Sequence, residues 1–212
     1  MRPSPATGPS DEQLARRVQQ GCAASFEELM ARYQVPVLQF LRHRSGSRDA
    51  EDLLQETFVR AYVNLHRYRP RWRFATWLFT IARRVSINYR RRPSPVVDHE
   101  AIGLAESGGP TPLTAMVAEE DRRGLWKMAA NVLGQEELTA VWLYYVEEMP
   151  TREIAAVLER SWVSVKTMLY RARRKLRPFL EQLESDGAPR SSGASAERQK
   201  ARLAVEMSHV QA

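Results

Sequence analysis

Apolar residues return every three to four positions along almost the whole chain, and three segments rich in Pro, Gly and Ser interrupt them: residues 1–9, 92–112 and 185–197. That spacing is the period of an amphipathic helix, whereas a half-buried strand alternates every two residues. No such alternation lies between hairpin turns, and nothing repeats at a fixed interval. The pattern therefore predicts an all-α fold of two small helical domains joined by a flexible linker. A length of 212 residues by itself admits one domain or two. The expected layout is a disordered N-terminus over 1–9, a first domain over 10–92, a linker over 93–118, a second domain over 119–183 and a tail over 184–212. Within the tail only "AERQKARLAVEMSHV" has weak helical character, in an otherwise polar composition.

Helix punctuation refines this layout. Ser10 and Gln13 form a capping box for a first helix that Gly21 stops. A second helix runs from Ser25 to about Arg42 with a bend at Pro36, a third from about Asp49 to Leu65, and a fourth from about Phe74 to Arg92, where Pro93 and Pro95 end it. In the second half, residues 119–133 and 136–147 read as helices. Thr151 is placed to cap a short helix over Arg152 to Leu158, Ser161 to cap the next, and Glu159 to Ser161 form the tight turn between them. This is the spacing of a helix-turn-helix.

Charge then suggests partners. The formal net charge of +7 favours a polyanion. On the last helix Val165, Leu169, Ala172 and Leu176 share one face, with Met168 at its margin. Thr167, Tyr170, Arg171 and Arg174 point the other way, flanked by Lys166 and Arg173. A lone basic face is usually just solvated, but behind a capped helix and a tight turn it suits a DNA groove. No acid occurs from Arg160 to Leu180.

The fourth helix repeats the theme. Phe74, Leu78, Ile81, Ala82, Val85 and Tyr89 are expected inside, with Arg83, Arg84, Arg90 and Arg91 outside. Ahead of it, "HRYRPRWRF" alternates Arg67, Arg69, Arg71 and Arg73 with Tyr68, Trp72 and Phe74, a composition that holds single strands by phosphate charge and base stacking. Phe74 and Trp77 read as core, and Trp72 as the freer ring. Residues 57–97 contain ten arginines and no acid, so the charge is segregated along the chain.

The third helix is the opposite. With Leu54, Phe58, Ala61 and Leu65 inward, its outer face carries Asp49, Asp52 and Glu56, then Val59 and Val63. Acids at a helix start favour the helix dipole, which accounts for Asp49 and Asp52 but not for two valines facing water. An acidic and apolar strip suits a protein partner better than a phosphate backbone.

Other classes find little support. His43, His66, His99 and His209 lack ligand spacing, there is no Gly-rich phosphate loop, and no nucleophile and base stand together, so neither an enzyme, a metal site nor a cofactor is expected. Cys22 is the sole cysteine, which excludes an intrachain disulfide and fits a reducing compartment. With no signal-like apolar run at the N-terminus and no span of roughly 18 apolar residues, a soluble, cytoplasmic protein is expected.

Three stretches also resemble a known family. "AEDLLQETFVRAY" (50–62), "FATWLFTIARRVSINYRRR" (74–92) and "TREIAAVLERSWVSVKTMLYRARRKL" (151–176), in this order and separation, resemble the extracytoplasmic-function group of sigma-70-type RNA polymerase sigma factors. The resemblance covers about residues 10–183. It implies a non-enzymatic subunit that lends promoter specificity to core RNA polymerase in transcription initiation, and it makes an anti-sigma factor a conceivable partner. By the same resemblance Asp52, Gln55 and Phe58 belong to the helix that docks the clamp helices of the largest polymerase subunit. The loop "RPRWRF" and the helix after it fall where minus-10 DNA is captured and melted, and Lys166, Thr167, Tyr170 and Arg171 match positions that read the minus-35 element. Joining the two lines of reasoning, polymerase contact is expected from Asp49, Asp52, Gln55, Glu56 and Val59. Minus-10 contact is expected from Arg71, Trp72, Arg73, Arg83, Arg84, Arg90 and Arg91, and minus-35 contact from Lys166, Thr167, Tyr170, Arg171 and Arg174. The alternative is a helix-turn-helix regulator that binds promoter DNA without polymerase, which explains the second half but neither the acidic strip nor the basic aromatic loop.

Overall fold

A computed structural model describes residues 8–45, 49–91 and 124–185, and all regular structure among them is helical. α1 (Asp11–Gln19) starts on its capping box: the Ser10 hydroxyl accepts from the Gln13 N–H at 3.2 Å, and the Gln13 side chain accepts from the Ser10 N–H at 2.8 Å. Gly21, at φ +97°, makes the left-handed turn that follows. α2 (Ala23–Ser45) continues through Pro36, α3 (Ala50–Asn64) passes into a 3-10 turn (Leu65–Arg67), and α4 (Phe74–Arg91) follows a short loop. After α5 (residues 124–132) come α6 (Gln135–Tyr145), α7 (Thr151–Leu158) and α8 (Trp162–Ser185). The linker over 93–118, the tail beyond 185, residues 1–7 and most of the "SGSRD" turn lie outside the described residues.

α1 to α4 enclose one apolar core, in which Leu14, Leu29, Leu41, Leu78 and Phe79 are buried. Edge-to-face ring pairs tie its layers, Phe40 to Phe79 at 5.1 Å and Tyr33 to Phe74 at 5.5 Å. α6, α7 and α8 pack around Leu143, Ile154, Val157, Val165 and Ala172, and this apolar cluster is continuous with that of α1 to α4. The inward face of α8 is the one its periodicity predicts: Val165, Leu169, Ala172 and Leu176 are all buried.

Two local expectations change. α3 turns Leu53 and Thr57 fully inward and leaves Leu54 half-buried, and the Thr57 hydroxyl is tolerated there because it donates to the Leu53 carbonyl at 2.7 Å. Thr151 is the first residue of α7, with Pro150 in the capping position. α8 runs through Pro178 to Ser185. Proline inside a helix costs about 3 kcal/mol, but Leu176 and Leu180 on either side of it are buried, and that packing holds the turn together.

The two halves are docked. α4 packs along α7, and α2 reaches α6. The surfaces expected to meet nucleic acid are therefore organised by the junction as well as by each domain.

Candidate nucleic-acid and partner interfaces

The turn of the helix-turn-helix is built from Glu159, which ends α7 in the left-handed conformation at φ 55°, and from Ser161, whose hydroxyl accepts from the Ser164 N–H at 3.1 Å. A non-glycine residue there costs about 1 kcal/mol. The Glu159 carboxylate meets Arg84 at 2.5 Å, and that hydrogen bond, ahead of the charge of Arg83 nearby, holds it below the usual carboxylate range.

On α8 the structure separates the cations into two sets. Lys166, Thr167, Tyr170, Arg171 and Arg174 are all exposed along one face. Among the described residues neither Arg171 nor Arg174 has a carboxylate within ion-pair distance. The others are tied down: Arg173 donates to the Tyr145 hydroxyl at 2.8 Å and lies over the Tyr144 ring, Lys175 meets Glu137 at 2.7 Å, and Arg177 meets Glu181 at 2.7 Å. Glu137 comes from α6, where Glu136 also holds Arg160 at 3.0 Å, whereas Glu181 lies on α8 itself.

The basic aromatic loop between the 3-10 turn and α4 is pinned by α1. The Gln19 amide donates to the carbonyls of Leu65 at 2.9 Å and Tyr68 at 3.0 Å, and Glu12 accepts from the Phe74 N–H at 3.1 Å, capping α4 from another helix. Tyr68 is buried, and its hydroxyl donates to the Trp72 carbonyl at 3.0 Å. Burial, with the nearby carboxylates of Glu12 and Asp11, moves that phenol well above its ordinary range, so it remains a donor. Trp72 projects from this fixed frame, 37% exposed, with the Arg71 guanidinium 6.0 Å from its ring. Phe74 is core and Trp77 packs against it, as expected.

Of the basic face that the sequence places outside on α4, Arg84, Arg90 and Arg91 are exposed as expected, and Arg83 alone is buried at the junction. Arg83 is only 7% exposed, between Glu136 at 3.5 Å and Glu159 at 3.8 Å, and its Nε has no acceptor among the described residues. Arg84 holds Glu159, Arg90 donates to Gln135 at 3.1 Å, and Arg73 meets Glu153 at 2.9 Å. Glu153 also accepts from the buried Thr76 hydroxyl. Arg71, Arg90 and Arg91 of this set are exposed with no carboxylate partner among the described residues. Periodicity finds the outward face of one helix but says nothing of what a second domain lays upon it.

The junction extends to α2. Arg44 is buried, donating to the Thr139 hydroxyl and to Ser86 at 2.8 Å, and burial pulls its pKa down to about 10. Beside it His43 lies 5.4 Å from the Trp126 ring and 4.2 Å from the Trp142 ring. Burial alone lowers its pKa to about 4 from 6.5, so the docked state keeps this imidazole neutral. The undocked chain takes up a proton first; docking is therefore fully favoured above about pH 6.5 and weakens as pH falls toward 4, by about 2 kcal/mol at pH 5. Small-angle scattering should show the radius of gyration growing more between pH 7 and 5 in the wild type than in His43→Phe, and equal growth would show that His43 is not the responsible group.

α3 presents the strip that its sequence predicts. Asp52 and Gln55 are exposed, Glu51 and Glu56 are held by Arg42 at 3.6 Å and Arg60 at 2.6 Å, and Asp49 sits half-buried at the capping position without a side-chain hydrogen bond. Val59 and Val63 are each 62% exposed, and Phe58 is buried. Tyr62, missed by sequence reasoning, continues the apolar surface, with its ring 4.9 Å from Phe26 of α2. Its position three residues after Val59 and next to Val63 was the available signal.

Among the described residues no three His, Cys, Asp or Glu side chains gather to hold a metal ion, and no helix is long and apolar enough to cross a membrane. Fold and surfaces define a two-domain all-α protein with a helix-turn-helix, an aromatic basic loop and a separate acidic and apolar strip. Comparison with known proteins gives the same class: the pattern of Sigma-70 region 2 matches residues 29–94, and that of Sigma-70 region 4 matches residues 125–176. The ECF RNA polymerase sigma-E factor of Escherichia coli (strain K12) is 32% identical over 174 residues, covering 77% of this chain and 91% of that protein. The sigma-E factor of Haemophilus influenzae is 28% identical over 184 residues, covering 82% and 97%. Among solved structures, CnrH in complex with the cytosolic domain of CnrY aligns with a TM-score of 0.61 at 27% identity, over 82% of this chain and 99% of that one. The sigma factor RpoE of Bartonella quintana, in complex with the anti-sigma factor NepR, shares the fold at a TM-score of 0.58 and 22% identity, over 74% and 96%. The chain belongs to the extracytoplasmic-function group of the sigma-70 family of RNA polymerase sigma factors, proteins that are not enzymes.

Proposed function

We propose that this sigma factor divides promoter recognition between its two domains. α8 enters the major groove of the minus-35 element with Lys166, Thr167, Tyr170, Arg171 and Arg174, while the loop carrying Arg71, Trp72 and Arg73, together with α4, captures and opens the minus-10 element. The observation that carries this reading is the division of cations on α8, where Arg171 and Arg174 face outward with no carboxylate partner among the described residues while Arg173 and Lys175 are held by α6 and Arg177 by Glu181. Arg173 and Lys175 are held against α6, and Arg177 pairs within α8, so the unopposed charge lies on the side that carries Arg171 and Arg174. Recognition helices of this motif read bases from their N-terminal turns, which is where Lys166, Thr167 and Tyr170 lie.

In the first domain a rigid loop with one projecting indole suits an unstacked base, since stacking contributes about 1 to 3 kcal/mol per base and leaves no reaction to catalyse. Arg73, Arg83 and Arg84 hold carboxylates of the second domain in the docked form, so minus-10 phosphates compete with Glu153, Glu136 and Glu159 for the same guanidiniums. The acidic and apolar strip of α3 is the polymerase-docking face, through Asp49, Asp52, Gln55, Glu56 and Val59. Two solved relatives are held by a second protein, and we extend to this chain a partner of the anti-sigma kind.

The test is run-off transcription with purified bacterial core polymerase on a genomic promoter library. Initiation is expected at a restricted set of promoters sharing upstream and minus-10 elements. Duplex binding without initiation on any template would favour a regulator that never engages polymerase.

A further inference from the structure

Trp162 occupies the first position of α8, 42% exposed, and none of the surfaces described above uses it. Its indole N–H donates to the Thr151 hydroxyl at 2.9 Å, so the ring spans the starts of both helices of the helix-turn-helix. Two cations lie against that ring. The Lys166 ammonium is 4.6 Å from its centroid, and the Arg152 guanidinium is 5.8 Å away. Both distances fall within the roughly 6 Å reach of a cation–π contact, for which tryptophan is the best ring.

We propose that Trp162 is a specificity-determining positioning residue: it holds the Lys166 ammonium at the lip of the reading helix, so that Lys166 meets the major groove already oriented. This rests on the reading of α8 as the minus-35 helix. The physical need is plain. A lysine ends in a compact charge on a flexible four-carbon stem, so an untethered Lys166 would lose rotamer freedom on binding and serve any phosphate within reach. A ring one turn earlier, fixed by its own hydrogen bond to α7, removes much of that freedom before DNA arrives. The contact leaves the ammonium's N–H donors able to turn to a base edge, because a π face takes up charge without an acceptor lone pair.

The measurement is a double-mutant cycle on Trp162→Ala and Lys166→Ala. Fluorescence anisotropy would be read on the full chain bound to core polymerase, using duplexes selected by the wild type from a library randomised in the upstream element. Each single variant is expected to weaken binding to the preferred duplex by about tenfold and to relax preference at the same base step. The double variant should be no weaker than Lys166→Ala alone. Trp162→Phe, which keeps a ring but no N–H donor, should retain part of the preference, and an unchanged circular dichroism melt sets aside misfolding. Additive losses would overturn the proposal, since Trp162 would then touch DNA on its own account; so would relaxed preference in Lys166→Ala with none in Trp162→Ala. No preference step altered by Lys166→Ala overturns the proposal along with the assignment of Lys166 to base reading.

Discussion

Asp52→Arg is expected to abolish assembly with core polymerase while leaving the full chain's affinity for an upstream duplex unchanged. Asp52 is exposed in the first turn of α3 and has no cation partner among the described residues, so its replacement breaks no internal contact. The loss of a favourable dipole interaction costs about 0.5 kcal/mol, too little to unfold a domain. Across an interface the same reversal puts a cation where the partner expects an anion, which costs several kcal/mol and hence about a hundredfold or more in affinity. Co-elution on size exclusion and anisotropy on duplex DNA separate the two outcomes. Loss of both activities, or of neither, would show that α3 is not a dedicated polymerase face.

Glu153→Lys is expected to undock the two domains. Glu153 is the best-satisfied acid of the junction: its carboxylate takes both the Arg73 guanidinium and the Thr76 hydroxyl, with its side chain 13% exposed. Removing it leaves the buried Thr76 hydroxyl unsatisfied and Arg73 without its carboxylate, a cost of about 2 kcal/mol, and a lysine adds repulsion. The rest of the junction is poorly placed to compensate. Arg83 is buried with long ion pairs and an Nε that has no acceptor among the described residues, and Arg44 is buried deeply enough to lower its pKa. An interface of partly satisfied charges is of the reversible kind seen between mobile domains. Small-angle scattering should show a larger radius of gyration for Glu153→Lys, and single-stranded minus-10 DNA should bind more tightly as Arg73 and Arg84 are released. An unchanged radius would mean that the packing of α4 on α7 and of α2 on α6 holds the docking without Glu153.

Much of this architecture is legible along the chain because it is local. A helix face is set by spacing of three and four, so Val165, Leu169, Ala172 and Leu176 declare the inner side of α8 and Thr167, Tyr170, Arg171 and Arg174 its outer side before any fold is known. Capping is equally local, since Ser10, Gln13 and Ser161 act within four residues of themselves. The exposed valines of α3 were visible for the same reason. Thr151 shows the limit: its hydroxyl suits a cap, but a partner eleven residues away takes it.

What the sequence by itself determined is therefore the helices, their inner faces, and the families of surface they leave outside. What only the tertiary structure decided is which charges remain available. Arginines that run for forty residues without an acid look unopposed, yet Arg73, Arg83 and Arg84 meet Glu153, Glu136 and Glu159 from the other domain, and Lys175 meets Glu137 from another helix. Electrostatic attraction acts through space, and burial sharpens it by removing water, so pairing follows the distance between folded elements rather than the distance along the chain.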